Sequence, residues 1–127
     1  MIPDDRKYME SHEWVKVEGD TAGIGITDHA QDALGDITYV ELPEVGTRVV
    51  KGNECCVIES VKAASDINAP VSGTIAEVNS ELVSAPEIIN SSPYENGWMF
   101  KIKDIDLSEL DTLMDAQAYK TYLESDA

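Results

Sequence analysis

The sequence predicts an all-β-dominated fold. It is a flattened barrel-sandwich of two small antiparallel sheets, with a short helix near residues 28–34 and a helical C-terminus packed outside. Three observations lead there. Short runs rich in Val, Ile, Thr and Tyr recur through the first hundred residues, and Gly, Pro, Asn and Asp punctuate them at intervals typical of small sandwiches and barrels. Beyond Asp104 the apolar residues change to helical spacing. With 127 residues and no linker or composition break, residues 1–127 are expected to form one domain, and 43% hydrophobic content separates the chain from disordered acidic tails.

Trp14-Val15-Lys16-Val17 alternates, stops at Glu18-Gly19-Asp20 and resumes over residues 21–26, which reads as a hairpin. Thr27 then stands as an N-cap, Asp28 as a first-turn acid and Gly35 as a C-cap, predicting a helix over 28–34. Residues 37–42 form a strand closed by Pro43, and residues 54–59 another after the Lys51-Gly52-Asn53 turn. Extended structure returns at 66–69 before Pro70 and again at 71–78. Residues 60–65 are thus a hairpin tip with one lysine, Lys62. Residues 84–96 read as loop with one helical turn near Pro86, followed by a strand over 97–102. Leu107, Leu110, Leu113 and Met114 recur at helical spacing, Ser108 and Asp111 resemble a capping box, and a further helix is expected over about 116–123. Gly46-Thr47-Arg48-Val49 and Gly73-Thr74-Ile75-Ala76 form a faint internal echo.

Twenty-five acidic residues against nine basic ones give a formal charge of −16, which repels phosphate backbones and anionic membranes. No nucleic-acid or membrane partner is expected; the charge favours solubility and steering toward basic protein surfaces. No apolar stretch approaches the eighteen or so residues of a membrane span, and the first seven residues lack the apolar core of a signal peptide. Cys55 and Cys56 are adjacent in a strand pattern, where a disulfide is strained, so both are expected to be reduced packing residues. Two such cysteines and the distant His12 and His29 match no metal-ligand spacing. The chain also lacks a nucleophile elbow, a phosphate loop or a complete dinucleotide fingerprint, so no stand-alone enzyme activity is expected.

The chemistry centres on Glu59-Ser60-Val61-Lys62-Ala63 and the downstream Ala69-Pro70-Val71-Ser72-Gly73. This run resembles the attachment hairpin of the lipoyl and biotinyl domain superfamily, a barrel-sandwich hybrid, in which a lysine at the tip carries the cofactor. Biotin carriers usually flank that lysine with Met; here Val61 and Ala63 flank Lys62, and lipoate is favoured. Glu59 resembles the acid common three residues before the lysine, and Glu59, Ser60, Val61 and Ala63 are the expected recognition residues of the attachment hairpin, about 54–70. The resemblance sharpens to the glycine cleavage H-protein family, from Lys7 to about Leu123. It rests on Ser11-His12-Glu13-Trp14-Val15, Gly25-Ile26-Thr27-Asp28-His29-Ala30-Gln31, Leu34-Gly35-Asp36, Val40-Glu41-Leu42-Pro43 and Pro93-Tyr94-Glu95-Asn96-Gly97-Trp98, besides a C-terminal helical extension over about 106–124.

That resemblance implies a lipoyl group covalently bound to Lys62 and a carrier that is itself a substrate of enzymes. A pyridoxal-phosphate glycine decarboxylase (P protein) loads the aminomethyl group of glycine. A tetrahydrofolate-dependent aminomethyltransferase (T protein) unloads it, and dihydrolipoamide dehydrogenase (L protein) reoxidises the arm. A lipoate ligase or a lipoyl or octanoyl transferase would attach the group. Lysine plus an eight-carbon acyl chain reaches roughly 14 Å, so tethering replaces diffusion between active sites. A loaded arm needs shelter from water and anions to meet its amine; by resemblance the groove involves Ser11, Glu13 and Asp66. An imidazole found near position 33 in some family members is absent, since Ala33 stands there. The alternative reading is an H-like relay that donates lipoyl to other carriers; a biotin carrier is the weaker rival. A monomer is expected, in a bacterial cytoplasm given the Met1-Ile2-Pro3 start, or in a mitochondrial matrix if the chain is a processed one.

Overall fold

The computed structural model describes residues 2–125. Nine strands among them form two antiparallel sheets. The larger has the order β1 (Lys7–Tyr8), β2 (Glu13–Glu18), β3 (Thr21–Ile26), β9 (Phe100–Lys103), β8 (Gly73–Val78), β5 (Arg48–Val49). The smaller is β4 (Ile37–Glu41), β6 (Glu54–Ser60), β7 (Ala64–Asn68). The expected architecture of two sheets with a short helix and a helical C-terminus is the observed one. The larger sheet has six strands because the two-residue β1 and β5, too short to leave a periodic signal, add themselves at its edges.

Strand alternation builds the core. Val15, Ala22, Ile24, Ile75, Phe100 and Ile102 of the larger sheet meet Ile37, Val40, Cys56, Ile58 and Ile67 of the smaller, all buried. A second cluster sits outside the barrel, where Tyr119 of α4 (Ala116–Ser125) stacks on Tyr8 with ring centroids 4.7 Å apart. The Tyr119 hydroxyl lies 2.8 Å from His12 Nδ1 and 2.7 Å from Thr27 Oγ1, so the last helix is fastened to the barrel by both packing and hydrogen bonds. Arg6, also buried, lies with its guanidinium 4.6 Å from the Trp14 ring and 5.5 Å from that of Tyr94, and donates to the Tyr94 carbonyl.

Helix α1 (Asp28–Leu34) has the predicted bounds: Thr27 Oγ1 accepts from Ala30 N at 3.2 Å, and Gly35 takes φ +80° as the C-cap. Several local expectations fail for identifiable reasons. The helical turn expected near Pro86 is present as α3 (Ile88–Ser91), but a second short helix, α2 (Glu81–Ser84), precedes the expected loop unannounced; they bury Ile89 and Leu82 in the barrel. The strand expected from Gly97 begins only at Phe100, because Gly97 N donates to Ser92 O and Trp98 N to Glu95 O in a turn. No capping box forms at Ser108. Asp106 caps instead, accepting from Ser108 N and Oγ, and residues Leu107–Thr112 wind as a 3-10 helix. Of its expected apolar stripe, Leu110, Leu113 and Met114 pack inward, whereas Leu107 is 58% exposed. Glu109 docks this turn by accepting from Ser72 N and Oγ at 2.7 and 2.9 Å. The two echoing segments pair with one another, Arg48 opposite Thr74 and Val49 opposite Gly73.

Candidate functional site

Lys62 stands at the turn between β6 and β7. The tip expected over 60–65 is tighter than that, since pairing continues to Glu59 opposite Ala64 and Ser60 N donates to Ala63 O at 2.8 Å. Val61 and Lys62 are therefore a two-residue loop. Such loops usually need positive φ to match strand twist, yet neither residue has one. Ser60 supplies the substitute: its hydroxyl accepts from Lys62 N and Ala63 N, both at 3.2 Å, and donates to Ala63 O. Val61 is 67% exposed, and Glu59, Lys62 and Ala63 are exposed beside it. The hairpin thus holds the backbone of the lysine firmly while leaving its flank open to solvent.

Below the tip lies the corner between α1 and β4. Val61 N donates to Asp36 O at 3.0 Å, and the Lys62 stem crosses Gly35, where an added methyl would stand 3.4 Å from Cε. Asn90 of α3 reaches the same corner: its Oδ1 accepts from Ile37 N, and its Nδ2 donates to Gly35 O and Gln31 Oε1, all at 2.9 Å. At the other end of α1, Asp28 N donates to the Tyr94 hydroxyl at 3.0 Å.

Of the three residues expected to line a groove, two are in direct contact. Ser11 donates to Glu13 Oε1 at 2.5 Å; Glu13 is fully buried, and its Oε2 accepts from Asn68 N at 2.7 Å. Asp66 lies two residues before Asn68 on β7, so both occupy one face of that strand, and its side chain is exposed. Burial pushes the Glu13 carboxyl above its ordinary value, although the bonds from Ser11 and Asn68 pull it down. The nearby Asp66 carboxyl, through the proton the two can share and its like charge, pushes the Glu54 carboxyl above its ordinary value. Sequence reasoning missed Glu54, Asn68 and Asn90. The register sets Glu54 opposite Asn68, beyond a shift between Glu54 and Cys56 that no alternation signals, and Asn90 stood in a segment read as loop.

Cys55 and Cys56 are free thiols packed in β6, as expected. Cys56 Sγ donates to Glu41 O and Cys55 Sγ to Ile67 O; burial pushes Cys55 up to about 12 and Cys56 higher still. Among the described residues no cluster of three metal-ligating side chains occurs, and no helix is long and apolar enough to cross a membrane.

Comparison with known proteins agrees with this geometry. The family model described as glycine cleavage H-protein matches residues 6–126. Glycine cleavage system H proteins from two strains of Thermus thermophilus are 57% identical over 126 residues, covering 99% of this chain and 98% of theirs. One from Pectobacterium atrosepticum is 55% identical, covering 98% and 97%. The crystal structure of a glycine cleavage system H protein from Mycobacterium marinum superposes with a TM-score of 0.85 at 38% identity, over 98% of each chain. An exposed lysine on a two-residue hairpin tip, in a barrel-sandwich shared from end to end with these proteins, places the chain in the glycine cleavage H-protein family.

Proposed function

We propose that the chain is the lipoyl-carrying shuttle of a glycine cleavage system, with residues 1–127 as one carrier domain and Lys62 as the attachment point. The observation that carries the assignment of the lysine is the tip itself. Lys62 is exposed, its backbone amide is held by Ser60, and Val61 is tied to Asp36, so a long acyl arm would swing from a fixed root. When bound, lipoate supplies the dithiolane that takes the aminomethyl cargo and the redox pair that is later reoxidised.

The protein's own residues supply position and charge. Lys62 acts as a tether, not as a catalytic amine, because acylation makes it a neutral amide. Glu13 and Asp66 have the sign needed to meet the amine of the cargo, and Ser11 orients the Glu13 carboxylate through its 2.5 Å hydrogen bond. Glu59, Ser60, Val61 and Ala63 shape the turn that a lipoate ligase or a lipoyl or octanoyl transferase would grip. The partners in turnover are the P, T and L proteins, which do the chemistry while this chain carries. The close relatives are bacterial, which supports a cytoplasmic setting.

Intact-mass analysis after incubation with lipoate, ATP and a lipoate ligase tests the attachment. One lipoyl adduct is expected, and none in Lys62→Ala; an adduct that survives the substitution refutes the assignment. Glycine-dependent carbon dioxide exchange with the P protein separates the shuttle from the relay. Exchange at background, with lipoyl transfer to other carriers, would favour the relay.

A further inference from the structure

We propose that Asn90, together with the Gly35–Asp36 corner it fastens, is a seat that positions Lys62 for modification. This rests on the reading of Lys62 as the attachment lysine and adds a positioning residue remote from it in sequence.

Outside the hairpin, Val61 and Lys62 meet one corner of the fold. Val61 N–H is held by the Asp36 carbonyl at 3.0 Å, and the Lys62 stem lies across Gly35, with Cε and Cδ within van der Waals reach of the place a methyl would take there. The left-handed φ of +80° that ends α1 is what calls for glycine at this point, and it sets the surface over which the stem runs. A lysine loses rotamer entropy on being fixed, so a surface that guides its stem lowers the cost of presenting the amine to an enzyme.

Half-buried Ala30 and Leu34 of α1 and buried Ile37 flank the corner, but Gly35 and Asp36 themselves lie outside the β4–β6 ladder, which shifts register between Ile37 and Tyr39 immediately after them. Asn90 fills the gap. Its amide group bonds residues on both sides of Gly35–Asp36, accepting from Ile37 N and donating to Gly35 O and Gln31 Oε1. It is anchored in turn by Ile89, its neighbour on α3, which is fully buried in the barrel. The path from core to lysine runs Ile89, Asn90, Gly35–Asp36, Val61–Lys62.

The test uses the full apo chain in wild-type form and as Asn90→Ala, Asn90→Asp and Asn79→Ala. Asn90→Asp keeps the acceptor for Ile37 N but sets a carboxylate against the Gly35 carbonyl. Asn79→Ala is the structural control: it loses two bonds, to Asn96 O and Trp98 O, without touching the corner. Amide exchange at Val61 and steady-state lipoylation by a lipoate ligase are measured well below each melting temperature. Asn90→Ala is expected to raise Val61 exchange and the KM for the apo chain about tenfold, kcat changing little, with Asn90→Asp in between. Asn79→Ala should lower the melting temperature yet leave Val61 exchange and KM as in wild type. Wild-type KM and Val61 exchange in Asn90→Ala would overturn the proposal, as would an equal loss of lipoylation in Asn79→Ala. A wild-type chain that takes no adduct at Lys62 overturns the carrier reading itself, and the seat with it.

Discussion

Replacing Glu13 by Gln separates what the buried carboxylate does for the fold from the role toward the cargo proposed for it above. Glu13 is fully buried and accepts from Ser11 Oγ at 2.5 Å and Asn68 N at 2.7 Å. An amide of the same shape can satisfy both partners: its oxygen accepts from Asn68 N–H and its nitrogen donates to Ser11 Oγ, whose own proton turns to solvent. Burial, the largest influence, raises the Glu13 pKa in the fold above its ordinary 4.5. The folded chain therefore holds this proton more tightly than the unfolded one. Stability falls as pH rises from about the unfolded value through the folded one, and below the unfolded value the effect vanishes. Glu13→Gln has no such dependence. In urea unfolding it should match wild type within about 0.5 kcal/mol at pH 4 and exceed it at pH 7. Glu13→Ala, which strands Asn68 N–H and opens a cavity, should lose about 2–4 kcal/mol, roughly 10 °C in melting temperature for a chain of this size. Shelter of the cargo amine should fail in both variants, since neither offers a charge. A Gln variant clearly less stable than wild type at pH 7, or a difference that does not change with pH, would refute the reasoning.

Gly25 lies opposite Trp14 in the β2–β3 ladder, and a methyl there would stand 2.5 Å from the indole ring. The ring cannot withdraw, since its Nε1 donates to Pro93 O and Arg6 covers its face. Gly25→Ala should thus cost about 3 kcal/mol in chemical unfolding; a loss within error of zero would show that the ring is free to move. The cysteines should be inert in the folded chain. With Cys55 pushed up to about 12 and Cys56 higher, the thiolate fraction at pH 8 is about one part in ten thousand. A disulfide thiol reagent should titrate two thiols only after denaturant is added, and two thiols reacting within minutes in native buffer would contradict the burial argument.

How far the sequence foretold this structure depended on whether a feature was local. Thr27 and Gly35 delimit α1 because capping is settled within one helical turn, and the β2–β3 hairpin follows from alternation broken by Gly19. Lys62 was legible for the same reason, as one lysine between two β-like runs. What was missed depends on contacts distant along the chain. Asn90 meets Gly35 across 55 residues, Glu109 meets Ser72 across 37, and Asn68 meets Glu13 across 55. No period in a single sequence encodes such pairs. The Ser108 error is of another kind: two local acceptors were available, and Asp106, placed just before the turn, captured the free N–H of Ser108 before Asp111 could matter.

The surroundings of Lys62 bear on how the fold tolerates loading. Acylation converts an ammonium to a neutral amide, and if that ammonium were half of an ion pair, modification would strand an acid and cost stability. Among the described residues, the ion pairs within 4.0 Å are Arg6–Asp5, Lys16–Asp5 and Lys101–Glu77, and Lys62 belongs to none of them. What holds Lys62 is backbone and stem: its N–H on Ser60 and its methylenes on Gly35. Both contacts persist when the amine becomes an amide. A carrier must be recognised by several enzymes before and after modification, and a tip whose geometry does not depend on the charge it loses presents the same surface to each. If Lys62 is the attachment point proposed above, modification changes what the lysine carries without changing where it is held.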